Sequence, residues 1–238
     1  MERFLIRFLN PFDFIILQAY NVTFNLILVD CIEFMTNNYS KLVSDNHRRL
    51  FDNLSATLDK DLPARMLDQS YLFDAFGEKC RISPDGFYLN NTKHQGVVGI
   101  LLSLYALNAN PEPCLLEPFK AYKEFPGTMP YVGAFTTHTE NILLPYVDRI
   151  KANIDMITRN LNGLIPQKPV SGDFSFLVYP LPKLALCYIF YEADDDFPPS
   201  VTCLYSHNAS LFMPNDALAD VGEYTSKKII TLILNEIV

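Results

Sequence analysis

A chain of 238 residues, 49% of them apolar and 19% charged, can bury one sizeable core and is too hydrophobic to stay disordered. Nineteen lysines and arginines against 27 aspartates and glutamates leave a net charge of −8. That balance excludes non-specific nucleic-acid binding, which needs a cationic surplus to displace phosphate counterions.

The first 34 residues are more apolar and aromatic than the rest, but Asp13, Gln18, Asn21, Asn25 and Asp30 interrupt the run. A membrane-spanning helix needs about 20 consecutive apolar residues. Arg3 and Arg7 suit the basic start of an export signal, yet no Ala-x-Ala-like cleavage site follows. Met35 heads a polar run, Met35 to Tyr39, that reads like an ordinary start. Residues 1–34 are therefore read as a non-domain extension, translated upstream of a start at Met35. An extra amphipathic helix or strand and a membrane or export segment are the other readings. Residues 35–238 are read as a single α+β domain.

From Tyr39, apolar residues fall at Leu42, Val43, Leu50, Phe51, Leu54 and Leu58, a helical spacing that Pro63 stops near Leu62. A further helical turn is read at Ala64–Leu67. Tyr71–Phe76, Lys79–Ile82 and Phe87–Leu89 have the length and alternation of short strands, with Ser83-Pro84-Asp85-Gly86 as a turn. Val97–Leu107 is almost wholly apolar, as a buried helix would be. Glycine is costly in such a helix, so Gly96 and Gly99 are expected to allow close approach of another element. No GxGxxG or GxxxxGK[ST] phosphate loop is present.

Thr137-His138-Thr139-Glu140 has the spacing of a capping box. It precedes a helical face of Leu143, Val147, Ile150, Ile154, Ile157 and Leu161 that ends near Gly163. Pro145 implies a kink or a delayed start. Beyond Pro169 the pattern turns to strand, first over Phe174–Tyr179. Leu184–Tyr191 is continuously apolar, as expected of a central strand covered on both faces, and Val201–Tyr205 is its neighbour. A short helical turn at Asn215–Ala219 and an amphipathic helix from Ser226 to Ile237 close the chain. The whole implies a mixed or antiparallel sheet packed by three to four helices.

The densest polar cluster follows the central strand: Glu192, Asp194, Asp195 and Asp196. Loops at strand ends commonly carry sites, and grouped carboxylates suit a hard cation such as calcium or magnesium. The spacing is not that of an EF-hand, and a solvated acidic turn stopped by Pro198-Pro199 is the alternative. His47, His94, His138 and His207 lie in no HExxH-like motif. His94 and His207 are either general bases or ordinary capping and surface residues. The five cysteines, Cys31, Cys80, Cys114, Cys187 and Cys203, form no CxxC pair and are read as buried, reduced thiols of a cytoplasmic protein. No GxSxG elbow occurs, and no catalytic residue is assigned.

One stretch resembles a known family. Leu181-Pro182-Lys183 is followed by an apolar strand, by Glu192-Ala193-Asp194-Asp195-Asp196-Phe197-Pro198, by a strand ending near Tyr205, and by Met213-Pro214-Asn215-Asp216-Ala217-Leu218. This order is similar to the prokaryotic family known as domain of unknown function 3786. The turn at Ser83–Gly86 and the helix Val97–Leu107 resemble its earlier half. The resemblance covers about Tyr39 to Ile233. It implies a cytoplasmic protein of the kind found mostly in anaerobic bacteria and archaea, and it implies no activity. Some members carry an appended cysteine-rich iron–sulfur segment like those of corrinoid-linked proteins. This chain has none, and Ser206-His207 stands where the family usually has an aspartate.

The expected function is a non-catalytic accessory module that binds a small molecule or a protein partner, with the cofactor unknown. No nucleic acid is expected, and no membrane unless residues 1–34 insert. The alternatives are a metal-assisted enzyme using Glu192–Asp196 and a structural partner of an anaerobic corrinoid or iron–sulfur enzyme.

Overall fold

In the computed structural model, which describes residues 38–235, the first helix (α1) covers residues 38–52. It turns Val43, Asn46 and Leu50 inward, and a second short helix, α2 (Leu58–Asp61), follows after a break. The long helix expected to reach Leu62 is thus two pieces. The reading of residues 1–34 lies outside the described residues.

Five short strands form an antiparallel meander in chain order: β1 (Arg65–Leu67), β2 (Ser70–Ala75), β3 (Glu78–Ser83), β4 (Gly86–Leu89) and β5 (Thr92–Lys93). Residues 65–67, read as a helical turn, are an edge strand instead, because Asp68 (φ 45) and Gln69 (φ 60) make a tight hairpin back into β2. Phe76-Gly77 (φ 52, 76) and Asn90-Asn91 (φ 44, 66) repeat that turn. Left-handed residues at both central positions match the twist of the paired strands. Alternation then sorts the side chains. Tyr71, Phe73, Ala75, Cys80, Ile82, Phe87 and Leu89 enter the core, while Leu72, Arg81 and Tyr88 face outward.

Val97–Leu107 is a helix (α3) with the expected bounds, and it packs on β4. A Cβ on Gly99 would lie 2.3 Å from the His94 carbonyl oxygen and 3.1 Å from Val43 of α1, so close approach explains this glycine. Gly96 has open space around it and needs no such account. Asn46 of α1 donates to the Ser103 hydroxyl at 2.9 Å, fastening α1 to α3.

The second sheet runs in the order β6 (Lys120–Ala121), β9 (Ser200–Tyr205), β8 (Leu184–Tyr191), β7 (Phe174–Leu181), antiparallel throughout. The chain is therefore α+β with antiparallel pairing, its strands divided between two sheets. β8 is central and covered on both faces. Leu186, Tyr188 and Phe190 enter the main core, whereas Cys187 and Ile189 lie under Leu116 and Phe119. Cross-strand rings reinforce the pairing: Phe174 stacks on Phe190 at 4.6 Å, and Phe176 on Tyr188 at 5.6 Å.

Between the sheets the chain is helical but broken. α4 (Val132–Phe135) runs into a π-turn at Thr136–Glu140, a 3₁₀ stretch at Asn141–Tyr146, α5 (Val147–Ala152) and α6 (Ile154–Asn160). The spacing at Thr137–Glu140 does not cap a helix start. The Thr137 hydroxyl donates to the Gly133 carbonyl one turn back, and the Glu140 carboxylate accepts the Cys203 amide of β9. Pro145, which has no N–H to give, sits in the 3₁₀ stretch. α6 ends with Asn162 as its left-handed residue (φ 52) and the Gly163 amide donating to Thr158, the arrangement of a Schellman motif. Gly163 has a different duty: a Cβ there would meet the Leu177 carbonyl oxygen of β7 at 2.1 Å.

The last helix (α7) is continuous from Asn215 to Asn235, where two pieces were expected. Gly222, which lies between those two pieces, lets Tyr205 and Phe135 approach; an added Cβ would lie 2.7 Å from the Tyr205 hydroxyl. α7 covers the second sheet. Tyr205 donates to the Leu218 carbonyl, and Tyr188 meets Ser226, whose hydroxyl in turn donates to Thr139.

The two sheets meet at the β2–β3 hairpin tip. Phe76, fully buried in its left-handed conformation, donates its amide to the Pro180 carbonyl of β7 at 2.6 Å and sets its ring 4.7 Å from Tyr224 of α7. Gly77 leaves no room for a side chain against Asn160, and Glu78 pairs with Lys228 of α7. The β7–β8 turn is tied to α3 as well. The Lys183 ammonium donates to Asn110, just past the C-terminus of α3 where carbonyl partial charges are negative, and its amide donates to the Tyr105 hydroxyl. No helix of the described residues is long and apolar enough to cross a membrane.

Candidate functional site

The acidic loop joins β8 to β9 on the surface. Glu192 accepts from the Lys151 ammonium at 2.5 Å, and its amide donates to Asp173. Asp194 turns into its own loop, accepting the amides of Asp196 at 2.9 Å and Phe197 at 2.7 Å. Asp195 and Asp196 are exposed. Among the described residues no three histidine, cysteine, aspartate or glutamate side chains gather in a way that would hold a metal ion. Asp194 thus serves the loop itself, satisfying two of its amides in the manner of an Asx turn. Asp194→Ala should lower unfolding free energy by about 1 kcal/mol, while Asp195→Ala and Asp196→Ala should each stay within about 0.5 kcal/mol of the parent in urea titrations.

Two of the histidines, His47 and His207, act as tethers. His47 lies between Phe51 and Phe87 and donates Nε2–H to the Ser83 carbonyl at 2.9 Å. His207 donates Nδ1–H to Pro118. Burial pushes the His94 imidazole down from its ordinary range. Of the cysteines within the described residues, Cys80, Cys187 and Cys203 are buried free thiols and Cys114 is half-buried; burial pushes the Cys187 thiol up to about 12.

A surface cleft of about 380 Å³ lies on the outer face of the first sheet, between β1 and the β3–β4 turn. Arg81 and Asp85 on its lining are already paired with each other. The Arg81 guanidinium sits 3.8 Å above the Tyr88 ring and donates to Ser83 and Asp85. Ser83 and Tyr88 donate to the two carboxylate oxygens of Asp85. Those two hydrogen bonds, Ser83 first, hold the Asp85 carboxyl well below the usual range.

A different situation exists at the N-terminal half of α7. Asp216, Asp220 and Glu223 recur at helical spacing on one face, with Lys227 one turn further on. Glu223, only 8% exposed, accepts from Lys227 at 2.6 Å. Asp220 is mostly buried, and desolvation first, then the charges of Glu223 and Asp216, push its carboxyl up to about 7; Lys227 opposes them. Burial raises the phenols of Tyr39 on α1 and of Tyr122 in the 3₁₀ turn Tyr122–Glu124, with the charge of Asp220 adding to the first and those of Asp216 and then Asp220 adding to the second. Tyr122 is 2% exposed, its ring stacked on Phe135 at 4.6 Å, and its hydroxyl has no hydrogen-bond partner among the described residues. Buried hydroxyls are nearly always bonded, so the Tyr122 hydroxyl is an exception, shared with that of Thr139.

A family model described as domain of unknown function (DUF3786) matches residues 55–228, well over half of the chain. The chain belongs to this family. The DUF3786 match is narrower at both ends than the resemblance read from the sequence, leaving α1 and its Tyr39 outside while spanning Tyr122, Asp216, Asp220, Glu223 and the acidic loop. Neither the comparison with curated proteins nor that with solved structures finds a match.

The sequence placed the candidate at the acidic loop and missed both Asp220 and Tyr122. The spacing of Asp216, Asp220 and Glu223 was a usable signal. It was hidden by the expectation of two helical pieces, one ending at Ala219 and the other starting at Ser226. Nothing in the sequence distinguishes Tyr122 from the other twelve tyrosines.

Proposed function

We propose that this DUF3786 chain is a non-catalytic cytoplasmic module that binds a small ligand between α7 and the Tyr122 turn. The carrying observation is the buried Tyr122 hydroxyl, left without a partner among the described residues. An unmade hydrogen bond at a buried hydroxyl costs about 1–3 kcal/mol, which a ligand acceptor or donor recovers on binding. A cytoplasmic setting accords with free thiols at Cys80, Cys114, Cys187 and Cys203.

Tyr122→Phe tests this directly. It removes the orphan hydroxyl and keeps the ring on Phe135, so the variant should be as stable as the parent or more stable by up to about 1 kcal/mol. It should also lose any thermal shift that a small-molecule panel produces in the parent, since a ligand confined to the folded state raises apparent stability. A variant less stable than the parent by more than about 1 kcal/mol would mark the hydroxyl as a structural hydrogen-bonding group and overturn the proposal.

A further inference from the structure

Register places one outward row across the whole first sheet. Arg65, Leu72, Arg81, Tyr88 and Lys93 stand opposite one another on β1 to β5 in turn. Directly paired residues share a face, so three cations alternate with a leucine and a tyrosine, and no carboxylate interrupts them. Of the acids on the same face, Asp74 pairs with Lys79 at 2.7 Å and Asp85 with Arg81 at 3.3 Å, while Asp68 lies in the β1–β2 turn. Arg65 and Lys93 are exposed and enter no ion pair among the described residues. A chain of net charge −8 thus carries one face with a cationic surplus. The cleft of about 380 Å³ opens at the β1 end of that row, with Leu67, Leu72 and Pro84 as its apolar walls and Arg81 on its lining. Such a cleft accepts a side chain as large as phenylalanine.

The chain exposes a piece of matching chemistry on its other sheet. Phe197, 70% exposed, follows directly on the exposed Asp195 and Asp196, and its amide is fixed by the Asp194 carboxylate. Its own chain does not bury this ring, and burial in an apolar cleft recovers the cost of leaving it in water. An aromatic side chain seated in a pocket, with charge pairs at the rim, is a common anchor of protein interfaces. We propose that the chain associates with a second copy of itself, the Phe197 ring of one entering the cleft of the other, with Asp195 and Asp196 meeting Arg65 and Arg81 there. Arg81 commits only Nη1 to Ser83 and Asp85, and a guanidinium carries five N–H donors, so it can take a second carboxylate. The contact uses the first sheet and the β8–β9 loop and is independent of the ligand reading at α7. Its two surfaces differ, so it is heterologous: it closes into a dimer where each loop reaches the other copy's cleft, and otherwise runs on into a ring or filament. One loop in one cleft buries little area, so association should be weak, in the micromolar to millimolar range.

Sedimentation of the full chain from micromolar to millimolar concentration tests this, with two variants that alter only exposed side chains. Phe197→Ser removes the anchor, and the double variant Arg65→Glu/Leu67→Ser spoils the cleft; circular dichroism checks that each is folded. The parent's mass should rise with concentration, and raising salt from about 0.05 M to about 0.5 M should weaken its association about tenfold, because exposed charges are screened. Each variant alone should associate at least about tenfold more weakly than the parent. Mixed together, the two variants supply one intact loop and one intact cleft, so they should form a 1:1 complex and nothing larger. That complementation separates loop-in-cleft association from any contact that pairs like surfaces. A parent that stays monomeric up to millimolar concentration overturns the proposal. So does either variant associating as tightly as the parent, or a mixture of the two that remains monomeric.

Discussion

Asp220→Asn is expected to stabilise the folded chain at neutral and alkaline pH, by roughly 2–4 kcal/mol at about pH 8, with the gain shrinking to nothing as pH falls toward about 4. The sign follows from the carboxyl. Its ordinary value is 3.8, and desolvation together with Glu223 and Asp216 lifts it to about 7 in the folded chain. The folded state therefore holds this proton more tightly than the unfolded state. The contribution of Asp220 to stability is fully present below the unfolded value, declines as pH climbs between the two values, and is lost above the folded one. Asparagine keeps the shape and drops the charge, so its advantage grows over that same window and then levels off. The lower end of the range allows for the water that still reaches a carboxylate which is not wholly buried. Urea titrations of parent and variant across this pH range check the result, and a pH-independent difference would show that the carboxyl is not perturbed.

Gly163→Ala should be strongly disruptive at the end of α6, costing about 3 kcal/mol or more. The new Cβ would fall 2.1 Å from the Leu177 carbonyl oxygen, which also accepts the Leu164 amide at 3.0 Å. Backbone cannot swing away as a flexible side-chain end can, so α6 and β7 would have to separate. Asn162→Gly next door should be neutral or slightly stabilising, since the left-handed conformation at φ 52 is one that glycine adopts freely. Chemical denaturation of the two variants checks the contrast. Equal effects would show that the helix end, not the approach to β7, dictates the glycine.

How far the sequence discloses this fold depends on how local the deciding physics is. β8 was legible because an unbroken apolar run of that length has nowhere to go but a doubly covered strand. α3 was legible for the same reason at helical length. The segmented helix from Val132 to Asn160 was not, because its periodicity is nearly continuous across Pro145 and the π-turn at Thr136–Glu140 leaves no trace in composition. The continuity of α7 through Gly222 was hidden for a tertiary reason: the missing side chain serves Tyr205 on another element, not a helix end. The same holds for function. Adjacent carboxylates such as Asp194–Asp196 stand out in a sequence although the folded loop turns Asp194 onto its own amides. Asp220 and Tyr122, far apart in the chain, acquire their perturbed character only on folding, when burial lifts both groups.

The buried tip at Phe76-Gly77 constrains how the protein can move. With its amide bonded to Pro180, its ring against Tyr224 and its glycine pressed on Asn160, the tip locks the meander to both β7 and α7. That clamp opposes hinge motion between the two sheets and leaves movement to the pieces it does not hold, on the timescale of loops and not of domain rotation.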